Sequence, residues 1–266
     1  MIAAMLVAAL AAGAGAVMVE RQDFALRHLE AGRDYEQARW VLKGGTQWAR
    51  SILAEDARSS SIDHPGELWA TGLPTTQIEQ GTVAGEISDQ QALFNLRNLM
   101  RDGKPSPQHL AILRRLLEIL GLPAALAESI ASQPIVELGD LHRVRGVDEA
   151  TLARLRAFVT VLPQSTPVNV NTAPAEVLAA IARIDLTQAR TLARARIGAP
   201  FRDRDDFLAR LPRAETQPSD DEISMQSRYF LVAGRATVGK ADVRMQALLE
   251  RTGAGALPAI LWQRIL

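Results

Sequence analysis

The densest group of ligand-type side chains is TQPSDDEISMQS, Thr216–Ser227, where Asp220, Asp221 and Glu222 stand among serines just before a strand-like stretch. Hard oxygen donors on a loop suit calcium. The run concentrates negative charge with few cations nearby, but it lacks EF-hand spacing, and a solvated acidic loop is the competing reading. His28, His64, His109 and His142 are scattered without metal-ligand spacing, and neither a glycine-rich phosphate loop nor a nucleophile elbow occurs. The pair Asp205-Asp206 falls at a predicted helix start, where acidic residues favour the macrodipole without doing chemistry. No cysteine is present, which removes thiol nucleophiles, disulfides and cysteine-held zinc together. These residues predict ion binding at most, and no enzyme.

A second constellation could hold phosphate. ELGDLHRVRGVDEATLARLRAFVTVLP and VNVNTAPAEVLAAIARIDLTQARTLARARIGAPFRDRDDFLARLP each predict a short helix, a tight turn and a second helix. That is the outline of a helix-hairpin-helix, whose backbone amides at a glycine hairpin can hold a phosphate. The turns argue otherwise. The first offers only Gly146 and then Asp148, and the second has Ile184-Asp185 without glycine. Asp148 and Asp185 read better as N-caps of the following helices. Arg190, Arg194, Arg196, Arg202 and Arg204 leave some electrostatic room for nucleic acid, offset by Asp203, Asp205 and Asp206. A formal net charge of zero also argues against a protein that coats DNA. The helical part is expected to be structural or to dock protein.

The elements that carry these residues begin with an uncharged run, Met1–Val19, followed to about Ala57 by a proline-free amphipathic pattern. About 20 apolar residues are what a bilayer core demands of a helix. The run lacks the positive n-region of a secretory signal peptide and is longer than its apolar segment. A simple membrane anchor without an assembly role remains the plainer alternative. Trp40 and Trp48 are expected in the core. Val83 and Ile87 predict short strands. Ser106 as N-cap with Pro107 next opens a helix whose buried stripe is Leu110, Leu113, Leu116, Leu117 and Leu120, stopped by Gly121 and Pro123. Strand periodicity returns in SRYFLVAGRATVG, ADVRMQALLER and LPAILWQRIL, an antiparallel meander. The expected organisation is therefore α+β: a pilin-like long N-terminal helix on an antiparallel sheet, interrupted by a large all-α insertion with helix-hairpin-helix-like units. In sequence this divides as 1–19 transmembrane, 20–99 helix and first strands, 100–213 insertion and 214–266 closing strands.

The phrases VERQDFALRHLEAGRDYEQARW, SILAEDARSSSIDHPGELWA, AGEISDQQALFNLRNL, VNVNTAPAEVLAAI and SRYFLVAGRATVG together resemble the K minor pseudopilins of bacterial type II secretion, general secretion pathway protein K. The resemblance covers nearly the whole chain. It implies a single-pass inner-membrane subunit with its soluble part in the periplasm. Such a subunit caps or initiates a short pseudopilus with the I and J minor pseudopilins, alongside other pseudopilins and inner-membrane secretion components. It also strengthens the calcium reading, since relatives are described as binding calcium in their α/β part. Family precursors carry a basic leader ending in glycine, and none precedes Met1 here, so no cleavage residue is assigned. No carboxylate occurs before Glu20, similar to what K proteins show and consistent with a tip position. The alternative function is that of a membrane-tethered helix-hairpin-helix protein binding DNA during uptake.

Overall fold

The computed structural model describes the backbone outside residues 102, 213–216 and 254, and the side chains apart from these and residues 4, 6–9, 11, 12, 14, 16, 17, 19–23 and 25. One helix, α1 (Ile2–Ser59), runs 58 residues without a break. At 1.5 Å per residue it is about 87 Å long. With no proline in it, nothing removes an i→i−4 hydrogen bond. Its sheet-facing side is Ala38, Leu42, Thr46, Ala49 and Leu53, all buried. Steps of three and four residues keep these on one stripe. Thr46 satisfies its hydroxyl on the Leu42 carbonyl at 3.1 Å.

Trp40 and Trp48 correct the sequence expectation, because they are 66% and 51% exposed. The small Ala38, Thr46 and Ala49 occupy the contact stripe instead. At 100° per residue, Trp40 lies about 200° from both Ala38 and Leu42 and therefore faces away. The Lys43 ammonium covers the Trp40 ring at 4.4 Å.

The helix packs on a five-stranded sheet of β1 (Leu73–Ile78), β2 (Gly81–Asp89), β3 (Tyr229–Val238), β4 (Ala241–Glu250) and β5 (Ala259–Ile265). Spatial order follows chain order, and every neighbour pair is antiparallel. Alternation places Phe230, Val232, Ala236 and Val238 of β3, with Val243, Met245, Ala247 and Leu249 of β4, in the buried layer under α1. Gly234 lets the helix approach, since a Cβ there would stand 2.9 Å from the Leu42 side chain. Gly239 closes the β3–β4 turn at φ 53°, a conformation that glycine adopts without a steric penalty. The predicted meander is present.

The chain leaves the sheet at the end of β2 and re-enters at the start of β3, where Asp89 pairs with Phe230. Between them lie α2 (Pro107–Ile119), α3 (Leu126–Ala131), a 3₁₀ turn at Leu138–Arg143, α4 (Glu149–Leu155), α5 (Ala175–Ala182), α6 (Leu186–Gly198) and α7 (Arg204–Arg210). This lobe has its own apolar core, in which Leu113, Leu116 and Leu117 are fully buried, with Leu110 and Leu120 half-buried against it. Phe94, Leu96, Leu99, Ile223 and Met225 also join that core. Ser106 stands at the N-cap as predicted, with Pro107 in the first turn, but its hydroxyl bonds His109 Nδ1 at 2.9 Å rather than the helix backbone. The protein is thus α+β, with the helical lobe inserted between adjacent strands.

Candidate functional site

Where the lobe meets the sheet, the VNVNTAP phrase forms a polar clasp. Val168 and Asn169 lie in a two-residue parallel bridge to Ile223–Ser224. Alternation then sends Val168 and Val170 into the apolar core, and places Asn169 and Asn171, both 0% exposed, among polar groups. Asn169 Nδ2 lies within hydrogen-bond distance of the Asp63 carbonyl (3.1 Å), Asp89 Oδ2 (3.1 Å) and Ser227 Oγ (3.0 Å). Asn171 binds the Phe201 backbone twice, donating to its carbonyl at 2.9 Å and accepting its N–H at 2.8 Å. Arg196 reaches across from α6 and donates to the carbonyls of Val170 and Ala173 at 2.5 and 2.6 Å. Burial lowers its pKa to about 10, still far above neutrality.

Asp89 is the hub on the sheet side. Its Oδ2 accepts from the hydroxyls of Thr172 (2.5 Å) and Ser227 (2.6 Å) as well as from Asn169, and its Oδ1 accepts the Gln91 N–H at 2.8 Å. Burial pushes its carboxyl up to about 6 even though these donors pull it down. One network thus ties β2, the start of β3, the loop after α1 and the inserted lobe. Asn169 and Thr172 of the lobe reach the Asp63 carbonyl and the Asp89 carboxylate only if the lobe is docked.

Next to it lies an acidic cluster. Asp56 ends α1, Asp63 follows in the loop and Glu67 precedes a 3₁₀ turn at Leu68–Thr71. Arg251 donates to Asp56 at 3.0 Å and to Asp63 at 2.5 Å. Asp63 Oδ2 also accepts the Ser227 N–H at 2.6 Å, which links cluster and clasp. Glu67 Oε2 accepts from Trp69 Nε1 and the His64 N–H at 2.8 and 2.9 Å. Burial, then Glu67 and Asp63, raise the Asp56 carboxyl to about 7. Burial likewise raises Asp63 against the pull of Arg251.

The sequence-singled residues Asp220, Asp221 and Glu222 lie elsewhere and do not converge. Asp220 pairs with Arg204 at 2.9 Å, Asp221 with Arg101 at 2.6 Å and Glu222 with Arg183 at 2.5 Å. The expectation of few cations near Thr216–Ser227 is thereby corrected, because these arginines are distant in sequence and brought in by the fold. Thr216 itself lies outside the described residues. Glu222 is 2% exposed. Burial would raise its carboxyl, but donors from Arg183, Gln108 and the Ser219 N–H hold it below the ordinary range. Three carboxylates each occupied by a guanidinium do not fit a calcium site. The signal for Asp56, Asp63 and Glu67 was present in AEDARSSSIDHPGEL, but only the turn after α1 brings them together.

The hairpin turns behave as caps. Asp148 accepts the Thr151 N–H at 2.8 Å and Asp185 the Gln188 N–H at 2.9 Å, both heading their helices. Of the arginines that offered room for nucleic acid, Arg196 is buried on carbonyls. Arg190, Arg202 and Arg204 are paired with Glu176, Asp206 and Asp220.

A long helix that outruns its own antiparallel sheet, with a helical lobe clasped between adjacent strands, defines a pilin-like subunit bearing an insertion. The family described as Type II secretion system (T2SS), protein K matches residues 168–226, which span the clasp from Val168 to Gln226. Type II secretion system protein K of Pseudomonas aeruginosa is 28% identical, over 97% of this chain and 89% of its own length. The Klebsiella pneumoniae protein of the same name is 26% identical, over 94% and 90%. Among solved structures, a chain in the GspK-GspI-GspJ complex from enterotoxigenic Escherichia coli superposes with a TM-score of 0.74 at 23% identity, covering 90% of this chain and 99% of that one. The chain is thus similar to type II secretion system protein K over nearly its whole length.

Proposed function

We propose that the chain is a minor pseudopilin that caps or initiates the periplasmic pseudopilus with the I and J subunits, anchored in the inner membrane by the start of α1. The observation that carries this reading is the stretch of α1 outside its own domain. The sheet covers the helix from Ala38 onward, whereas Phe24, Leu26 and Leu29 are left 68%, 57% and 70% exposed. Apolar side chains on a bare helix favour packing against similar helices. The naming of I and J in the structurally similar complex supports those partners.

Among the described residues no helix is long and apolar enough to cross a membrane. Many side chains of 1–19 lie outside the described residues, and the anchor is proposed from the uncharged run Met1–Val19 together with the family. Arginine at Leu10 would add roughly 2.5–3.5 kcal/mol to insertion. Export by a strain lacking its own K subunit should be restored by the parent chain, while Leu10→Arg should leave the membrane fraction and fail to restore it. Equal export by both would remove the anchor from the account.

A further inference from the structure

We propose that Gly44 and Gly45 of α1 form a crossing notch, walled by Trp40 and Trp48, for the long helix of a neighbouring minor pseudopilin. The proposal rests on the reading of α1 as the assembly surface and names the place on it where a partner helix comes closest.

After proline, glycine is the least favourable residue in a helix interior. Two in succession nevertheless stand within α1, which runs unbroken from Ile2 to Ser59. The fold of this chain does not call for them. Neither takes a positive φ, and a Cβ added at either would meet nothing within 4 Å. Gly234 is the contrast, since a Cβ there would stand 2.9 Å from the Leu42 side chain. What bare backbone offers at Gly44 and Gly45 is close approach from outside, the use made of small residues where helices pack tightly.

The surroundings fit a helix as the visitor. At 100° per residue, Leu26, Leu29, Trp40, Gly44 and Trp48 fall within about 100° of one another, on the side of α1 away from Leu42. The notch therefore continues the face that leaves Leu26 and Leu29 bare below the sheet. Trp40 and Trp48 stand one turn to either side of Gly44, 66% and 51% exposed. Exposed tryptophans beside a notch are the type of residue that anchors protein interfaces. Beside Gly45, α1 and the β1–β2 pair leave an apolar slot walled by Trp48, Ile52, Leu68 and Val83, which a bulky side chain of the visiting helix can enter. Gly44 lies 25 residues beyond Val19, about 38 Å along the helix, so a bilayer that holds Met1–Val19 does not reach it.

The test uses the full chain in detergent, co-expressed with the I and J subunits, and reads their co-purification beside Tm. Gly44→Ala and Gly44→Leu should hold or raise Tm, since each places a better helix former in open space. Capture of at least one subunit should nevertheless fall with side-chain size, roughly 10-fold or more for Gly44→Leu. Trp40→Ala removes an exposed ring, leaves the sheet contact intact and should weaken capture similarly; it serves as the second variant if Gly44→Leu does not fold. Gly253→Leu, at a loop glycine with equally open space, should leave capture unchanged. Parent-level capture by a folded Gly44→Leu chain, or by Trp40→Ala, would overturn the notch while leaving assembly through α1 intact. A parent chain that captures neither subunit would overturn the assembly reading and the notch with it.

Discussion

Leu113→Ala should destabilise the helical lobe by about 2–5 kcal/mol, because the leucine is 0% exposed at the centre of that lobe's core and its removal leaves a cavity. The loss should be local at first. Packing under α1 is formed by other residues, including Leu53, Phe230 and Leu249, in an apolar cluster separate from the lobe's. All four tryptophans, Trp40, Trp48, Trp69 and Trp262, lie in α1, the connection after it and β5, outside the lobe. Hydrogen exchange in peptides of 107–212 should therefore accelerate well before the tryptophan emission changes. Simultaneous loss in both regions would show one cooperative unit and remove the case for a separately packed lobe.

Asp89→Ala should be comparably severe. It leaves the Asn169 amide and the Thr172 and Ser227 hydroxyls without their shared acceptor. The buried Ser227 hydroxyl loses its acceptor outright, and an orphaned buried donor costs about 1–3 kcal/mol. The effect should also depend on pH. The folded carboxyl titrates near 6 rather than 3.8, so the native state holds this proton more tightly than the unfolded chain does. Its contribution is complete below the unfolded value and is lost as pH rises through the folded one. The stability gap between parent and Asp89→Ala should therefore be wider at about pH 4 than at about pH 8. A gap that widens on going from acid to alkaline conditions would contradict the reading of Asp89 as a buried, proton-holding hub.

What could be read in the sequence was what repeats locally. Proline-free periodicity gave α1, alternation gave β3 and β4, and Asp148 and Asp185 announced their caps. The leucine stripe of α2 was visible for the same reason, since side chains three and four apart share a face. Trp40 and Trp48 misled because aromatic bulk argues for burial, while close packing of a helix on a sheet selected alanine and threonine instead. Asp220, Asp221 and Glu222 misled because adjacency in sequence is not convergence in space, and their partners Arg204, Arg101 and Arg183 lie 16, 120 and 39 positions away. The clasp was half visible. VNVNTAP was conspicuous, but Asp63, Asp89 and Ser227, which give its asparagines their purpose, are remote in sequence and carry no local signal.

Assembly as a minor pseudopilin through α1 can be tested by capture of its neighbours. The chain has no native cysteine, so single cysteines at Phe24 and Leu29 can be introduced cleanly. Both side chains are exposed on the stretch of helix that its own sheet does not cover. In cells carrying the full secretion apparatus, crosslinking from these positions should yield adducts with the I and J subunits, and a cysteine at buried Leu53 should yield none. Adducts with neither subunit from either exposed position, in a chain that is present and folded, would contradict the account.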